Sequence, residues 1–247
     1  MLKVMYYRKL VSVAVGLVLA FSAVLVTSAT PKVTKENDPT LQAIEPLDLA
    51  ILIQDDLVPQ VSNEIGVTRD FIRSLPQGSN VMVGYITAGT LQIRQPFTSD
   101  LEKAARSLRI PTASIGSAPF NPYVEVLEAL RKFDPSSRNA NAILLVSDGL
   151  DTSRGFDSTA AGHTLDIERT ITEANKRHVA VFSFYAPSVG LTSRSRIAAS
   201  YGQSSLNRVS NETGGKAFFQ GTDGFVTFNS YFSRLRETLN RQYARVR

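Results

Sequence analysis

The sequence predicts an α/β fold: a doubly wound, mostly parallel sheet with one antiparallel edge strand and helices on both faces. Two near-continuous apolar runs, Leu-Ala-Ile-Leu-Ile at 49–53 and Ala-Ile-Leu-Leu-Val at 142–146, are typical of strands that are covered on both faces. Strand-like and helix-like segments alternate along the chain, which indicates parallel strands joined by helices. Residues 80–97 differ, because two alternating segments meet at the tight turn Ala88-Gly89 and predict a hairpin that supplies the antiparallel edge strand.

The first half of the predicted domain begins with an apolar strand. Apolar residues at helical spacing follow it, and Pro76-Gln77-Gly78 ends that helix. After the hairpin, Ser99 is a suitable N-cap for a helix with acidic residues in its first turn. In chain order the elements are a strand at 49–53, a helix at 63–75, strands at 80–87 and 90–97, and a helix at 100–108.

The second half begins with a loop at 111–121 and a helix that Pro122 opens. Residues 186–202 are rich in Ser, Arg and Gly and predict a surface loop. Gly214 and Gly215 predict the C-cap of the helix before them. The remaining elements are a strand at 142–146, a helix at 165–177, a strand at 179–185, a helix at 204–212, a short strand at 216–219 and a helix at 226–243.

The N-terminal 29 residues have the three parts of a secretory signal. A basic start is followed by an uncharged apolar stretch at 10–26, and Thr27-Ser28-Ala29 offers a cleavage site. The chain is therefore expected to be exported, to the periplasm or outside the cell. If the leader is not cleaved, residues 10–26 would anchor the chain to the inner membrane. The predicted organisation is a signal peptide or anchor at 1–29, a linker at 30–46 and a domain at 47–247.

Composition excludes several classes of function. The formal net charge is +5, but Lys3, Arg8 and Lys9 lie in the leader, so the rest of the chain is close to neutral and no nucleic-acid partner is expected. The chain has no cysteine, which rules out disulfides, thiolate metal sites and thiol catalysis. His163 and His178 are its two histidines, and their spacing fits neither a zinc site nor a catalytic triad.

Three aspartates mark the predicted binding edge of the sheet. Asp55 and Asp56 follow the strand at 49–53, and Asp148 follows the strand at 142–146. Ligands of open α/β sheets bind outside the carboxyl ends of the strands. We therefore expect these carboxylates to converge on one cation or on one basic group of a partner; the alternative is that they are solvated residues of ordinary loops.

Three segments in this order resemble the von Willebrand factor type A domain, in the diverged form of exported bacterial proteins. They are the acid-tipped first strand, Ile-Leu-Leu-Val-Ser-Asp-Gly at 143–149, and Leu-Asn-Arg-Val-Ser-Asn-Glu-Thr-Gly-Gly-Lys-Ala-Phe-Phe at 206–219. The resemblance extends from Leu47 to Tyr243. It implies the doubly wound sheet that the apolar runs also predict.

The resemblance also implies a metal-ion-dependent adhesion site at the upper edge of the sheet. In that site an Asp-x-Ser-x-Ser loop, a threonine and a further aspartate surround Mg²⁺ or another divalent cation, so Asp55, Asp56 and Asp148 are the metal ligands that it implies here. Asp148 matches that pattern. The two serine positions fall on Asp56 and Val58 in one register and on Leu57 and Pro59 in the other, so the predicted site is degenerate.

By resemblance, the chain is an interaction module that binds a protein partner through the loops at this edge, and not an enzyme. Two alternatives stay open. One is a metal-assisted hydrolase on an α/β scaffold, against which the absence of a base–nucleophile pair in the acidic loops argues. The other is a structural component of an envelope assembly, which contacts the membrane only through an uncleaved leader.

Overall fold

Six strands form one sheet in the residues that the computed structural model describes, namely 45–153, 155, 164–221 and 226–243. The strands are β1 (Leu47–Gln54), β2 (Asn80–Thr87), β3 (Thr90–Thr98), β4 (Ala140–Ser147), β5 (Val179–Tyr185) and β6 (Ala217–Phe218). Their order is β3-β2-β1-β4-β5-β6, and β3 alone among them runs antiparallel to its neighbour. The fold class predicted from the sequence is therefore confirmed.

Helices cover both faces of this sheet. They are α1 (Ile65–Arg73), α2 (Leu101–Ser107), α3 (Pro122–Leu130), α4 (Leu165–Lys176), α5 (Arg196–Glu212) and α6 (Asn229–Tyr243). Buried residues of α1, α2 and α6 pack on one face, and those of α3, α4 and α5 pack on the other. Successive side chains of a strand point to opposite faces, so a strand between two helical layers is apolar at nearly every position.

The sheet has two contrasting edges. At one end β6 is only two residues long. At the other end β3 is nine residues long and, from Thr90 to Phe97, alternates exposed with buried or partly buried side chains, with Arg94 and Pro96 among the exposed ones.

Segment 186–202 is not the surface loop that its composition predicts, because α5 begins within it at Arg196. Ser195 caps this helix by accepting a hydrogen bond from the backbone N–H of Ala198 at 3.2 Å. Ala198, Ala199 and Gly202 are buried. Small residues let the helix lie close to the sheet, but they lack the bulky apolar stripe by which a helix is normally found in a sequence.

Other differences concern the ends of elements. The N-cap of α2 is Asp100 rather than Ser99, since its carboxylate accepts from the N–H of Lys103 at 2.8 Å. The predicted helix at 63–75 is split into a 3₁₀ turn at Pro59–Glu64 and α1. The predicted helix at 226–243 starts three residues later, at Asn229. Gly214 adopts a φ of 80°, and the N–H of Gly215 reaches the Ser210 carbonyl at 2.8 Å, which confirms the predicted C-cap of α5.

The predicted leader and most of the predicted linker, up to residue 44, lie outside the described residues, as does His163. Within the described ranges, no helix has the length and apolar character needed to cross a membrane. His178 is described: it has a φ of 54° and lies in the turn between α4 and β5, at the end of the sheet opposite to the acidic residues.

Candidate functional site at the carboxyl edge of the sheet

The carboxyl ends of β1, β4 and β5 lie side by side, because these strands are parallel neighbours in register. Ile53 pairs with Val146, and Ser147 pairs with Tyr185. The loops that follow these three strands therefore begin close together. Asp55 and Asp56 leave from β1 and Asp148 leaves from β4, so the sequence correctly placed all three at one edge.

Gln54 connects the two strands of this edge. Its side-chain N–H donates to Asp56 Oδ1 at 2.7 Å. Its Oε1 accepts from the Ser147 hydroxyl and, at 3.2 Å, from the backbone N–H of Asp148. A neutral amide can donate on one side and accept on the other, which a carboxylate at this position could not do. Gln54 thus joins Asp56 and Asp148 in one buried network.

Asp148 is buried and hydrogen-bonded at both oxygens. Oδ1 accepts from the N–H of Leu150 and Oδ2 from the hydroxyl of Thr192, each at 3.1 Å. Burial raises the pKa of the Asp148 carboxyl, and these hydrogen bonds oppose that rise. The buried hydroxyl of Tyr185 has no hydrogen-bond partner among the described residues.

Asp56 is almost fully buried, at 3% exposure, and has no basic partner in the hydrogen bonds and ion pairs of the described residues. Burial, and secondly the nearby charge of Asp148, raise the pKa of Asp56 to about 7. The carboxyl is therefore partly protonated near neutral pH. Asp56 and Asp148 behave as a coupled pair in which ionisation of one opposes ionisation of the other.

Asp55 points to a different partner. The Arg109 guanidinium binds it through two parallel hydrogen bonds, Nη1 to Oδ1 at 2.6 Å and Nη2 to Oδ2 at 2.9 Å. The N–H of Thr112 adds a third hydrogen bond to Oδ1, at 2.9 Å. Burial alone would raise the pKa of Asp55, but the hydrogen bonds from Arg109 and Thr112 hold it below the usual value. The structure thus brings Asp56 and Asp148 together and pairs Asp55 with an arginine.

Sequence reasoning did not identify the side chains that bind these carboxylates. They are Arg109, Thr112, Thr192 and the bridging amide of Gln54. Arg109 and Thr112 lie 54 and 57 residues beyond Asp55, in an irregular segment without a motif. The side-chain amide of Asn121, at the start of α3, donates to Asp151 at 3.3 Å and to Asp166 at 2.9 Å.

The side chains at this edge do not fit the divalent cation that the resemblance implies. Such a cation takes several oxygen ligands with free lone pairs. Both carboxylate oxygens of Asp55 are engaged by Arg109, and Leu57, at one of the two serine positions, is fully buried in the core. Within the described ranges, no group of three or more His, Cys, Asp or Glu side chains is arranged to hold a metal ion.

Several large apolar side chains are exposed at this edge. Eight large apolar side chains are exposed in the described part of the chain, and all belong to segments at the carboxyl ends of the strands or to the first turn of a helix that starts there. Hydrogen bonds tie two of these segments to β1: the N–H of Ala113 donates to the Asp55 carbonyl, and the N–H of Val189 to that of Asp56. The eight residues, called the apolar edge below, are Ile110, Ile115, Phe120, Val124, Leu165, Leu191, Ile197 and Phe219.

Comparison with protein-family models found no match, and comparison with curated proteins found none either. Similar solved structures do exist, and three of them are each 14% identical to this chain with a TM-score of 0.51. An aerotolerance-related membrane protein from Bacteroides fragilis matches over 79% of this chain and 99% of its own. A von Willebrand factor type A structure from Catenulispora acidiphila matches over 81% of this chain and 42% of its own.

A third similar structure is proximal thread matrix protein 1 from the mussel byssus, solved with a zinc-occupied metal-ion-dependent adhesion site, which matches over 81% of this chain and 48% of its own. At such low identity these likenesses concern the fold. The chain therefore has the α/β fold of a von Willebrand factor type A domain, as its sequence resemblance implies.

Proposed function

We propose that this chain is an exported protein-interaction module, and not an enzyme, which binds a protein partner through the loops at the carboxyl edge of its sheet. The observation that carries the proposal is the apolar edge. Large apolar side chains exposed together mark interaction sites, whereas scattered ones need no explanation. Here all eight that are exposed within the described residues lie at the same edge of the sheet. The partner is a protein surface that is itself apolar at its centre.

The loops that carry these side chains are held in place, which favours recognition by a preformed surface. The segment before Ile115 is bound to Asp55 through Thr112 and Ala113. The carbonyl of Phe120 accepts from the N–H of Thr152 at 2.7 Å. A rigid surface loses less conformational entropy on binding than a mobile one, so more of the contact energy remains as affinity.

The chemistry of the edge supports binding rather than hydrolysis. Ser147 donates its hydroxyl hydrogen to the amide oxygen of Gln54, which is too weak a base to activate a nucleophile. No histidine lies at this edge within the described residues, since His178 is at the opposite end. Asp56 and Asp148 lie beneath this binding surface and form a degenerate adhesion site.

An envelope location is part of the proposal. The secretory pattern of residues 1–29 supports it, and so does the fold likeness to a protein described as a membrane protein.

Determining the mass of the mature N-terminus in the native host separates two forms of the protein. Cleavage after Ala29 would give a free exported module, and an intact leader would give a tethered one.

We expect the partner to be crosslinked from the apolar edge and from no other side. A photo-crosslinking amino acid at position 115 or 120 of the full chain, expressed in its native host, should give one discrete adduct. The control position is Lys132, which is exposed at the opposite end of the domain. In a chain carrying the crosslinker at 115, Phe120→Ser should reduce the adduct at least tenfold, because loss of a large aromatic anchor weakens an interface by roughly 2 kcal/mol or more.

Two results would contradict the proposal. One is the same adduct from position 132, which indicates nonspecific collision. The other is no adduct from either edge position while a crosslinker elsewhere on the surface captures a partner.

A further inference from the structure

The cation bound to Asp55, the first aspartate after β1, is the guanidinium of Arg109, whereas the sequence resemblance implies a metal ion at this edge. The guanidinium spans both oxygens of Asp55, which is the geometry in which arginine and carboxylate bind most strongly. It also lies over the ring of Tyr85, with 4.0 Å between the guanidinium carbon and the ring centroid. Asp55 is 2% exposed and Arg109 29% exposed in their side chains, so the pair is largely shielded from solvent.

The same pair holds the segment that begins the apolar edge. The Tyr85 hydroxyl donates to the Arg109 carbonyl at 2.5 Å and accepts from the Arg109 N–H at 2.8 Å. Thr112 donates its hydroxyl to the Asp55 carbonyl at 3.0 Å, in addition to its N–H contact with the carboxylate. Residues 109–113 are thus fixed to the ends of β1 and β2 around one ion pair. Ile110 lies inside this segment, and Ile115 lies two residues after it.

We propose that Arg109 is a positioning residue that takes the place of the divalent cation at this edge, so that the binding loops are arranged without metal. The consequence for binding rests on the proposed function, but the replacement of the metal does not. Of the three predicted ligands, Asp56 and Asp148 remain, and the Gln54 amide already bonds the Asp56 carboxylate and the backbone N–H of Asp148. Two carboxylates that already accept hydrogen bonds from donors of the protein supply fewer free oxygen ligands than a hard divalent cation takes.

The test compares the melting temperature of the protein, in the form isolated from its native host, and of two variants in EDTA, Mg²⁺, Mn²⁺ and methylguanidinium at millimolar concentration. The wild-type melting temperature should be the same in all of them. Arg109→Ala should melt roughly 5 °C lower or more, because it leaves the buried Asp55 charge without its partner. It should then regain stability with methylguanidinium, which refills the site, and with Mn²⁺, which the freed carboxylate now attracts. Arg109→Lys should lie between, since an ammonium group cannot bridge both oxygens.

Arg106→Ala is the matched control. Arg106 is exposed on α2 and pairs only at 3.6 Å with Glu102, so its removal should change the melting temperature little and create no response to either ligand. The proposal is overturned if the wild type is stabilised saturably by Mg²⁺ or Mn²⁺ and Asp55→Asn removes that effect. It is also overturned if Arg109→Ala responds to methylguanidinium no more than Arg106→Ala does.

The crosslink from position 115 separates this inference from the proposed function. An adduct that persists in EDTA supports both, and one that EDTA abolishes overturns metal independence while leaving partner binding intact. If the edge positions give no adduct while a crosslinker elsewhere on the surface captures a partner, the proposed function fails, and the melting experiments still decide the role of Arg109.

Discussion

Gly202→Ala is expected to destabilise the domain by about 3 kcal/mol and to disturb Asp148, because added atoms in a filled site force the backbone apart. A Cβ on Gly202 would lie 1.9 Å from the Asp148 carbonyl oxygen, far inside contact distance. Gly149 faces it with a φ of 68°, and a Cβ there would come within 2.4 Å of Leu206. This pair of glycines lets α5 lie directly against the turn that carries Asp148. If α5 cannot lie this close to the turn, Asp148 loses its position relative to Gln54 and Thr192.

Thermal unfolding of the variant checks this expectation, with a fall in melting temperature of roughly 6–12 °C for a domain of this size. Gly66→Ala is the control, since no atom lies within 4 Å of a Cβ built on Gly66 in α1. That change should be neutral or stabilise by up to about 1 kcal/mol through helix propensity. Equal melting temperatures for Gly202→Ala and the wild type would show that α5 and the Asp148 turn are not in close contact in solution.

Asp56→Asn is expected to stabilise the domain at pH 8 by about 2–4 kcal/mol and to have little effect at pH 4. The pKa of Asp56 is raised from 3.8 to about 7 on folding, so the folded state binds a proton that the unfolded state releases. The stability of the wild type should therefore fall as pH rises from about 4 to 7 and then level off with respect to this group. Asparagine keeps an oxygen to accept from Gln54 but carries no charge, which removes that slope.

Urea unfolding between pH 4 and pH 8 measures this difference. Asp70→Asn is the control, because Asp70 is exposed on α1 and should show no comparable change in the pH dependence. Parallel stability profiles for the wild type and Asp56→Asn would contradict the buried, unpaired environment of Asp56. A stabilising result would mean that the chain retains a carboxyl that lowers its stability, as proteins commonly do at sites used for binding.

Local patterns predicted most of the fold but little of the site. The runs at 49–53 and 142–146 identify central strands because burial on both faces demands apolar residues throughout, and this demand is readable over five positions. The edge at which Asp55, Asp56 and Asp148 lie follows from strand direction alone. The choice of partner for each carboxylate does not, since Arg109 and Thr192 reach their aspartates from 54 and 44 residues away. Which side chains pair in this way depends on the paths of the loops, and a loop path leaves no periodic pattern in the sequence.

Helix α5 shows a second reason for failure. Its early turns bury alanine and glycine where they press against the sheet, so composition there resembles that of a loop. The signal that could have revealed it is the N-cap Ser195 before Ala198 and Ala199, which was outweighed by the surrounding Ser, Arg and Gly.

The unequal edges of the sheet bear on how the protein stays dispersed when it carries an apolar surface. A long, flat, unpaired strand invites the same strand of another molecule to continue the sheet, which is the first step toward aggregation. Here β6 is too short to serve as a template, and β3 presents a charge at Arg94 and a missing N–H donor at Pro96. Pairing of an edge strand with the edge strand of another molecule is therefore disfavoured at both edges of the sheet. The described residues can then expose the eight side chains of the apolar edge while the sheet stays closed to growth.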